Sequence, residues 1–416
     1  MALGLSSMQA SPAAQYYNST TSATEWHVFF PGVNQQLVHA WWDGKAASYQ
    51  WQYQDMPTSV SMGSDPIVMP LQASDTELHV FFRGSDGSLQ HLWYDGISWF
   101  PAGTSETIAG TPVAPPPADL AGHPGGRALG GVNFLAGYSG SNPPFQQHVF
   151  YQGTDGRLYD HYWDGGKWST QSALPGAIAG PPTAQSLFTD APSYSYQLNV
   201  YFTGTDGNLQ LTTCGDGTTW QSSPIPGQFA PPSGVPAASS GGAGGYPPDI
   251  SVFYPGLNPG GGKAVWQGIN ANGQWSAANW GPAGGIGLDP VVLDCVYVAG
   301  LGPSGGGGIS WQLNEGCRNP QTGLVSWQVI PGSPLRTMGV AYFDDGPHIF
   351  YLATDGSVQQ TWNQLSSTGW SVEGVAPPNV AYTYEYWSPN SGGNGGCSPI
   401  AQIVKALAAV RRRLRR

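Results

Sequence analysis

The chain has 416 residues, a formal net charge of −11, only 9% charged residues, and 60 Gly with 37 Pro. Soluble domains average about 25% charged residues, so an architecture of long solvated helices or coiled coils is excluded. The 17 Trp, 20 Tyr and 14 Phe supply more apolar surface than a disordered chain carries. We therefore expect a folded, turn-rich β protein.

Basic residues are concentrated at the C-terminus. Residues 398–416 hold six of the 14 Lys and Arg and no acid, which leaves 8 basic and 25 acidic residues elsewhere, a charge of −17. This acidic body disfavours nucleic acid as a ligand, because phosphate binding requires clustered Lys and Arg. No apolar run reaches the roughly 18 residues needed to span a bilayer, and the N-terminus lacks the basic region of a secretory signal. We expect a soluble protein that is cytoplasmic or exported by a non-classical route.

One segment recurs along the chain, and each copy ends at a tryptophan. Residues 26–51 contain WHVFFPGVNQQLVHAWWDG, residues 78–99 read LHVFFRGSDGSLQHLWYDGISW, and residues 147–168 read QHVFYQGTDGRLYDHYWDGGKW. Further copies occupy 198–220, 250–275 and 347–370, and a degenerate copy containing ISWQLNEG lies between Val296 and Trp327. The closing residues are Trp51, Trp99, Trp168, Trp220, Trp275, Trp327 and Trp370, which makes seven copies.

Each copy has the pattern of β-strands. HVFF alternates with period two, and the SDG or TDG that follows is a hairpin signal whose glycine supplies positive φ. The run LxHxWWDG predicts the next strand, the closing Trp begins another, and segments such as PIVMPLQA precede HVFF as a fourth. Seven four-stranded antiparallel units predict an all-β, seven-bladed β-propeller over residues 1–388.

The C-terminal segment differs from the repeats. Residues 389–397 form a Gly-rich linker, and 398–416 predict a short basic amphipathic helix with Ser398 as its N-cap. The alternatives for this helix are contact with a membrane surface or an anionic partner, formation of a homo-oligomer, and attraction to the acidic body.

Four scattered cysteines are too few for a disulfide framework or a zinc site. Cys295 and Cys317 are close enough in sequence to pair across one sheet, but small half-buried thiols are the favoured interpretation. We expect neither a metal nor a cofactor.

The histidines and the aromatic residues are the candidate ligand-binding residues of the repeats. Seven of the eight histidines fall inside repeats. The favoured interpretation is that they hydrogen-bond within their own blades; the alternative is ligand contact at several equivalent sites. Rings on the strand that contains Trp93 either pack in the core or face the crevice between blades. A ring beside a His, Asp or Arg suits a sugar, because C–H faces stack on the ring and hydroxyls take directed hydrogen bonds.

Enzymatic signatures are weak. No G-x-S-x-G, H-E-x-x-H or phosphate-binding glycine loop occurs. Asp43, Asp95 and Asp164 recur at one position, but each lies in a WDG or YDG turn, where an aspartate bonding the backbone is the default. We therefore predict that the protein is not an enzyme.

The segments HVFFRGSDGSLQHLWYDGISW and LVHAWWDG resemble the repeat of bacterial PLL-type β-propeller lectins and, less closely, that of the fungal fucose-specific lectins of the Aleuria aurantia type. The resemblance covers roughly residues 11–388, and seven copies fit the PLL type, since the Aleuria type has six blades. It implies metal-free, non-catalytic binding of L-fucose or related, O-methylated sugars between adjacent blades, hence glycan or glycoprotein partners.

The resemblance carries over only in part. The Arg that binds fucose in the Aleuria type is replaced in these repeats by His27, His79, His148, Asn199, Ser251 and His348. The Glu is replaced by His39, His91, Asp160, Leu211 and Gln360, so the Arg–Glu pair is absent. We predict a multivalent carbohydrate-binding lectin; the alternative is a non-catalytic protein-interaction scaffold. The predicted sugar-binding residues are His39, Trp41, Trp42, His79, Arg83, His91, Trp93, Tyr94, His148, Arg157, Asp160 and Trp163.

Overall fold

The computed structural model describes one part of the chain in detail. That part is residues 11–377, with gaps at 19, 21, 44–49, 72–76, 109–111, 117–125, 136–144, 171–172, 190–194, 217–218, 226–233, 241–249, 258–262, 272–273, 282–289, 293–294, 304–308, 319–323, 333, 344–345, 354 and 364–368. The chain divides into two compact units, residues 1–383 and 384–416, and every described residue belongs to the first. The predicted linker 389–397 and helix 398–416 lie outside the described residues.

The regular structure of the described residues consists of strands in seven antiparallel sheets, which we call blades 1 to 7. Blade 1 contains β1 (Ala13–Asn18), β2 (Ala23–Pro31), β3 (Leu37–Asp43) and β4 (Gln52–Met56). Blade 2 contains β5 (Ile67–Leu71), β6 (Glu77–Arg83), β7 (Leu89–Tyr94), β8 (Trp99–Phe100) and a short fifth strand, β9 (Glu106–Thr107). Blade 3 contains β10 (Leu129–Leu135), β11 (Phe145–Gln152), β12 (Arg157–Trp163), β13 (Trp168–Thr170) and β14 (Leu174–Ala177).

The remaining blades have four strands each. Blade 4 contains β15 (Thr183–Thr189), β16 (Ser195–Thr203), β17 (Leu209–Cys214) and β18 (Trp220–Pro224); blade 5 contains β19 (Ala237–Ser240), β20 (Ile250–Leu257), β21 (Lys263–Ala271) and β22 (Gln274–Gly281). Blade 6 contains β23 (Val291–Val292), β24 (Val296–Pro303), β25 (Ile309–Arg318) and β26 (Val325–Ile330). Blade 7 contains β27 (Pro334–Phe343), β28 (Gly346–Ala353), β29 (Val358–Asn363) and β30 (Trp370–Ala376). None of the described residues belongs to a helix that has the length and hydropathy to cross a bilayer.

The first strands of the blades close a ring. In order, β1 contacts β5, β5 contacts β10, and the series continues through β15, β19 and β23 to β27, which contacts β1 again. The predicted seven-bladed β-propeller of four-stranded antiparallel blades is therefore confirmed, with two blades extended by one short strand.

The Asp–Gly pairs form the predicted hairpin turns. Gly87 and Gly156 have φ of 88° and 76°, a conformation that glycine adopts at low cost. In the first of these turns Asp86 Oδ1 accepts hydrogen bonds from the backbone amide and the hydroxyl of Ser88. The sequence therefore fixes the connection between the second and third strands of the blade locally.

The closing tryptophans join neighbouring blades. The Trp168 ring of blade 3 meets the Phe81 ring of blade 2 edge to face, with centroids 5.3 Å apart and planes at 76°. The same T-shaped contact recurs at five other interfaces: Phe29–Trp99, Phe150–Trp220, Tyr201–Trp275, Tyr297–Trp370 and Phe350–Trp51. The last of these joins blade 7 to blade 1, so one side-chain contact both packs the blades and closes the ring.

The interface between blades 5 and 6 is built differently. Trp280, at the end of blade 5, makes the T-shaped contact with Phe253 of its own blade, with centroids 4.8 Å apart. Trp327 of blade 6 packs against the same cluster, and its Nε1 donates a hydrogen bond to the backbone carbonyl of Trp280. The closing tryptophan of blade 6 is therefore present, but at this interface it contacts Trp280, and Trp280 makes the edge-to-face contact with Phe253.

One buried side chain links blades that are not neighbours. Arg127 lies just before β10 of blade 3, and its Nη2 donates to the carbonyl of Pro290, just before β23 of blade 6, at 3.3 Å. Blades 3 and 6 are three positions apart in a ring of seven, so the guanidinium lies across the axial channel.

The cysteine prediction was wrong for one pair. Cys295 and Cys317 form a disulfide with a Cα–Cα distance of 4.7 Å, whereas Cys214 is a buried thiol that donates to Asp216. Tyr297 of β24 lies directly opposite Glu315 of β25, and the cysteines continue that antiparallel register by two residues on each strand. The pairing depends on the register of the most degenerate blade, which the sequence pattern did not define.

Truncating a closing tryptophan should destabilise the whole ring. Trp220→Ala removes the ring that packs on the buried Phe150, and burial loss of this kind costs about 3–5 kcal/mol. We expect the free energy of unfolding, measured by urea titration followed by fluorescence, to fall by that order.

The matched control is Ile97→Ala, because Ile97 is an apolar residue that lies 70% exposed in a turn. Its stability should stay within about 0.5 kcal/mol of the parent protein. Equal losses in the two variants would show that the tryptophan contact does not join the blades as described.

Candidate functional site

A hydrogen bond between polar side chains joins the second and third strands of several blades. His27 Nδ1 lies 2.8 Å from His39 Nε2, and His79 Nδ1 lies 2.9 Å from His91 Nε2. In blade 3 His148 Nδ1 lies 2.9 Å from Asp160 Oδ2, and in blade 7 His348 bonds to Gln360. The favoured interpretation of these histidines, hydrogen bonding within their own blades, is therefore the arrangement observed.

Blade 2 extends this pair into a chain of four groups. Glu77 Oε2 lies 3.2 Å from His79 Nε2, and Glu106 Oε1 lies 2.7 Å from His91 Nδ1. Glu77 precedes His79 by two residues on β6, so both side chains point to the same face. Glu106 reaches this face because β9 pairs with β7 and places it directly opposite His91. We call these four residues the blade 2 polar chain.

The blade 2 polar chain faces blade 3. The Trp168 ring of blade 3 packs edge-on against His91, at 5.1 Å, and against His79, at 6.5 Å. On its other side Trp168 stacks on His161, with centroids 5.3 Å apart and planes at 8°. His161 is buried, and its Nε2 has no hydrogen-bond partner in the described part of the protein.

Aromatic rings and carboxylates meet where this interface opens to solvent. Trp93 is half-buried, lies directly opposite His79 and stacks on Phe100 at 4.5 Å. The side chains of Glu77 and Glu106 are 35% and 43% exposed, in contrast to the buried histidines between them. We call the space bounded by the blade 2 polar chain, Trp93 and Trp168 the blade 2–3 cleft.

The charges of the cleft are set by burial and by these hydrogen bonds. Burial lowers the pKa of His91 to about 4, an effect that Glu106 opposes and His79 reinforces. The hydrogen bond from His79 lowers the pKa of Glu77, and the hydrogen bond from His91 lowers that of Glu106. Both carboxylates are therefore ionised at neutral pH and can accept hydrogen bonds from a ligand.

The structure distributes the predicted site residues over four interfaces. His79, His91, Trp93 and Trp163 lie at the blade 2–3 interface, where Trp163 contacts Trp168. Between blades 1 and 2 lie His39, Trp41 and Tyr94. Between blades 7 and 1, Trp42 stacks on Trp26. His148 and Asp160 face blade 4. They do not form a single site, but they recur at corresponding interfaces.

Three predicted site residues have other roles. The Arg83 guanidinium donates to the carbonyls of Val113 and Gly84, which tie β6 to the segment that leads into blade 3. Arg157 is exposed, and its backbone amide donates to Asp155 in the hairpin turn. Asp160 is fully buried, and burial raises its pKa despite the neighbouring His148. None of these three groups lies at the opening of the blade 2–3 cleft.

The turn aspartates have the role expected from their sequence context. Asp95 Oδ1 accepts the backbone amides of Ile97 and Ser98, and Asp164 Oδ1 accepts those of Gly166 and Lys167. The side chain of Asp43 lies outside the described residues. Asp95 and Asp164 stabilise turns, so the pairing of carboxylates that glycoside hydrolysis requires is not built from them.

Sequence reasoning missed Glu77, Phe100 and Glu106. Glu77 had a signal, because Glu25 stands two residues before His27 just as Glu77 stands before His79, and Glu25 Oε2 bonds His27 in the same way. No sequence signal pointed to Glu106, because it follows His91 by 15 residues and reaches it through a short fifth strand that the repeat did not predict.

Comparisons with known proteins agree with this architecture. A family model described as a repeat of unknown function, DUF346, matches residues 77–114 and 146–184, which belong to blades 2 and 3. The structure is similar to that of the BP39L lectin from Burkholderia pseudomallei, with a TM-score of 0.57, 16% identity, and coverage of 90% of this chain and 99% of that one. No curated protein sequence matches the chain.

Two further solved structures are more distant. A lectin from Aleuria aurantia, described as a six-bladed β-propeller, has a TM-score of 0.46 and 16% identity, covering 92% of this chain and 98% of its own. AofleA from Arthrobotrys oligospora has a TM-score of 0.43 and 15% identity, covering 90% and 89%. At 16% identity the likeness to BP39L, which is named as a lectin, supports the propeller fold alone.

The buried His161 should make the protein less stable in acid. Burial lowers its pKa from 6.5 to about 4, so the folded protein binds fewer protons than the unfolded chain between these values. Stability is therefore lost as the pH falls from about 6.5 towards 4. His161→Phe, which keeps a ring against Trp168, should lose roughly 2–3 kcal/mol less stability than the parent between pH 7.5 and 4.5.

Urea unfolding of both proteins at the two pH values measures this difference. Parallel losses of stability would exclude His161 as a source of the acid sensitivity. Ile97→Ala serves as the control, because it leaves every histidine in place.

Proposed function

We propose that this protein is a multivalent carbohydrate-binding protein, a lectin. The blade 2–3 cleft carries the proposal, because it places the half-buried Trp93 beside the partly exposed carboxylates of Glu77 and Glu106. Only one oxygen of each carboxylate bonds to a histidine. The other oxygen of each can accept a sugar hydroxyl while a C–H face of the sugar stacks on the indole.

Related clefts support several sites per chain. A half-buried ring stacks on the buried histidine in blade 1 (Trp41 on His39, 4.9 Å), in blade 3 (Tyr162 on His148, 5.5 Å) and in blade 7 (Trp362 on His348, 5.9 Å). Each shallow site would bind weakly. Several sites on one ring can nevertheless engage a glycan-covered surface with high avidity.

The sugar we propose is L-fucose or a related, O-methylated sugar. The resemblance of the repeats to the PLL-type and Aleuria-type lectins implies this class. A methyl group on the sugar provides an apolar surface for an aromatic ring such as Trp93. In blades 1, 2, 3 and 7 the positions that replace the Arg–Glu pair of the fungal lectins are buried and bonded to each other, so we place the ligand at the cleft opening.

A glycan array with the full-length protein, repeated with free L-fucose as competitor, tests the proposal. We expect fucosylated or O-methylated glycans to be bound and to be displaced by the competitor. A blank array with folded protein would contradict lectin activity towards common glycans and would favour the protein-interaction scaffold. Binding that resists L-fucose but disappears when residues 398–416 are deleted would assign it to the basic C-terminal segment.

Trp93→Ala should remove one binding site from each chain. For a sugar identified on the array, isothermal titration should show that the number of sites falls by one while the thermal midpoint changes little. Tyr53→Ala is the matched control, because Tyr53 is a partly exposed ring on the outer strand of blade 1. An unchanged stoichiometry in Trp93→Ala would place the sugar outside the blade 2–3 cleft.

A further inference from the structure

The blade 2 polar chain cannot be satisfied by two neutral histidines. Each end of the chain is an ionised carboxylate, which only accepts, so His79 Nε2 and His91 Nδ1 must both carry hydrogens. The central contact of 2.9 Å joins His79 Nδ1 and His91 Nε2, and one of these nitrogens must also carry a hydrogen. Three hydrogens on two rings exceed the neutral count by one, because a neutral imidazole carries a single N–H.

The extra proton belongs on an imidazole ring. The carboxyl groups of Glu77 and Glu106 both have lowered pKa values, so they do not hold it. Between the rings, His91 is the more deeply buried and has its pKa lowered to about 4. This leaves His79, whose cation donates from Nε2 to Glu77 and from Nδ1 to the lone pair of His91 Nε2.

Blade 1 provides an internal comparison. Glu25, His27 and His39 form the same chain, but Gln54 stands directly opposite His39 where Glu106 stands opposite His91. His39 Nδ1 is buried and has no partner among the described residues. Two hydrogens therefore satisfy that chain, one from His27 to Glu25 and one from His39 to His27, and both rings are neutral.

We propose that Glu106 is a positioning residue that acts through His91 and keeps His79 in the imidazolium form at neutral pH. Glu106 fixes the hydrogen of His91 on Nδ1, so that His91 Nε2 can only accept and His79 must donate. The blade 2–3 cleft thereby retains a buried positive charge that the corresponding cleft of blade 1 lacks.

Other charged groups around the chain are few. On blade 2, Glu77, Asp95 and Glu106 supply negative charge, and they favour the cation. From blade 3, His161 faces His91 and is neutral above its pKa of about 4. The first strand, β5, contributes only apolar side chains. The cation therefore has three acidic neighbours and no basic one except histidine among the described residues.

This consequence rests on the proposed function: the His79 cation keeps the cleft able to accept hydrogen bonds from a ligand. By donating a charge-assisted hydrogen bond, His79 keeps Glu77 ionised in acid, and an ionised carboxylate accepts hydroxyl hydrogen bonds more strongly than a neutral one. Through His91 and His79, Glu106 thus sets the ionisation of Glu77 in this cleft independently of the other clefts.

Long-range 1H–15N NMR of the full chain labelled at histidine measures the ring protonation directly. His79 is assigned by the signals lost in His79→Gln, and spectra are recorded at pH 7.5, where an exposed histidine is about one tenth protonated. We expect both nitrogens of His79 to carry hydrogens in the parent protein, with His27 neutral in the same spectrum. In Glu106→Gln the amide can donate or accept, so His79 should lose its second ring hydrogen.

Gln54→Glu is the reciprocal variant, because it supplies blade 1 with the missing carboxylate. It should convert His27 to the imidazolium form while leaving His79 unchanged. A neutral His79 in the parent protein, or a His79 that stays doubly protonated in folded Glu106→Gln, would overturn the proposal. If Glu106→Gln does not fold, the parent spectrum and Gln54→Glu decide the question. Because these measurements involve no sugar, their outcome is independent of the glycan array.

Discussion

The edge-to-face contact between a closing tryptophan and the central aromatic residue of the preceding blade is the interaction on which the ring depends. Each four-stranded sheet has two apolar faces that it cannot bury alone, and the indole fills the space between successive sheets. Because Trp51 of blade 1 makes this contact with Phe350 of blade 7, the ring closes with the same contact that packs five of its other six interfaces.

The same packing leaves a narrow polar layer between the blades, and each blade fills it differently. Histidine pairs occupy it in blades 1 and 2, and a His–Asp pair occupies it in blade 3. In blade 5 Gln267 bonds Ser251 and Trp280, and in blade 6 Cys295, which packs against the core cluster shared with blade 7, forms the disulfide. Buried polar groups are costly unless they are paired, and blades 1, 2, 3 and 5 each pair theirs with a different set of side chains. The clefts are therefore chemically distinct although the backbone repeats.

The sequence predicted features whose causes are local. The strand alternation, the Asp–Gly turns and the closing tryptophans specify each blade within about 25 residues, and seven copies specify the ring. The sequence could not show that Glu106 returns to His91, because a chain reversal and a fifth strand lie between them. It also did not show the Cys295–Cys317 pair, since that pairing depends on a register within a degenerate copy. The sequence favoured hydrogen bonding of the histidines within their own blades, but it did not identify the partner of each ring, because that partner depends on the register of the third strand.

The arginine that crosses the axial channel has a consequence for how the protein unfolds. In a linear repeat protein each unit contacts only its neighbours, so units can melt one after another from the ends. Arg127 joins segments 163 positions apart in the chain, before blade 3 and before blade 6. Loosening either segment removes a partner from the other, in addition to the effect on adjacent blades. Cross-ring coupling of this kind favours a single cooperative transition over stepwise fraying.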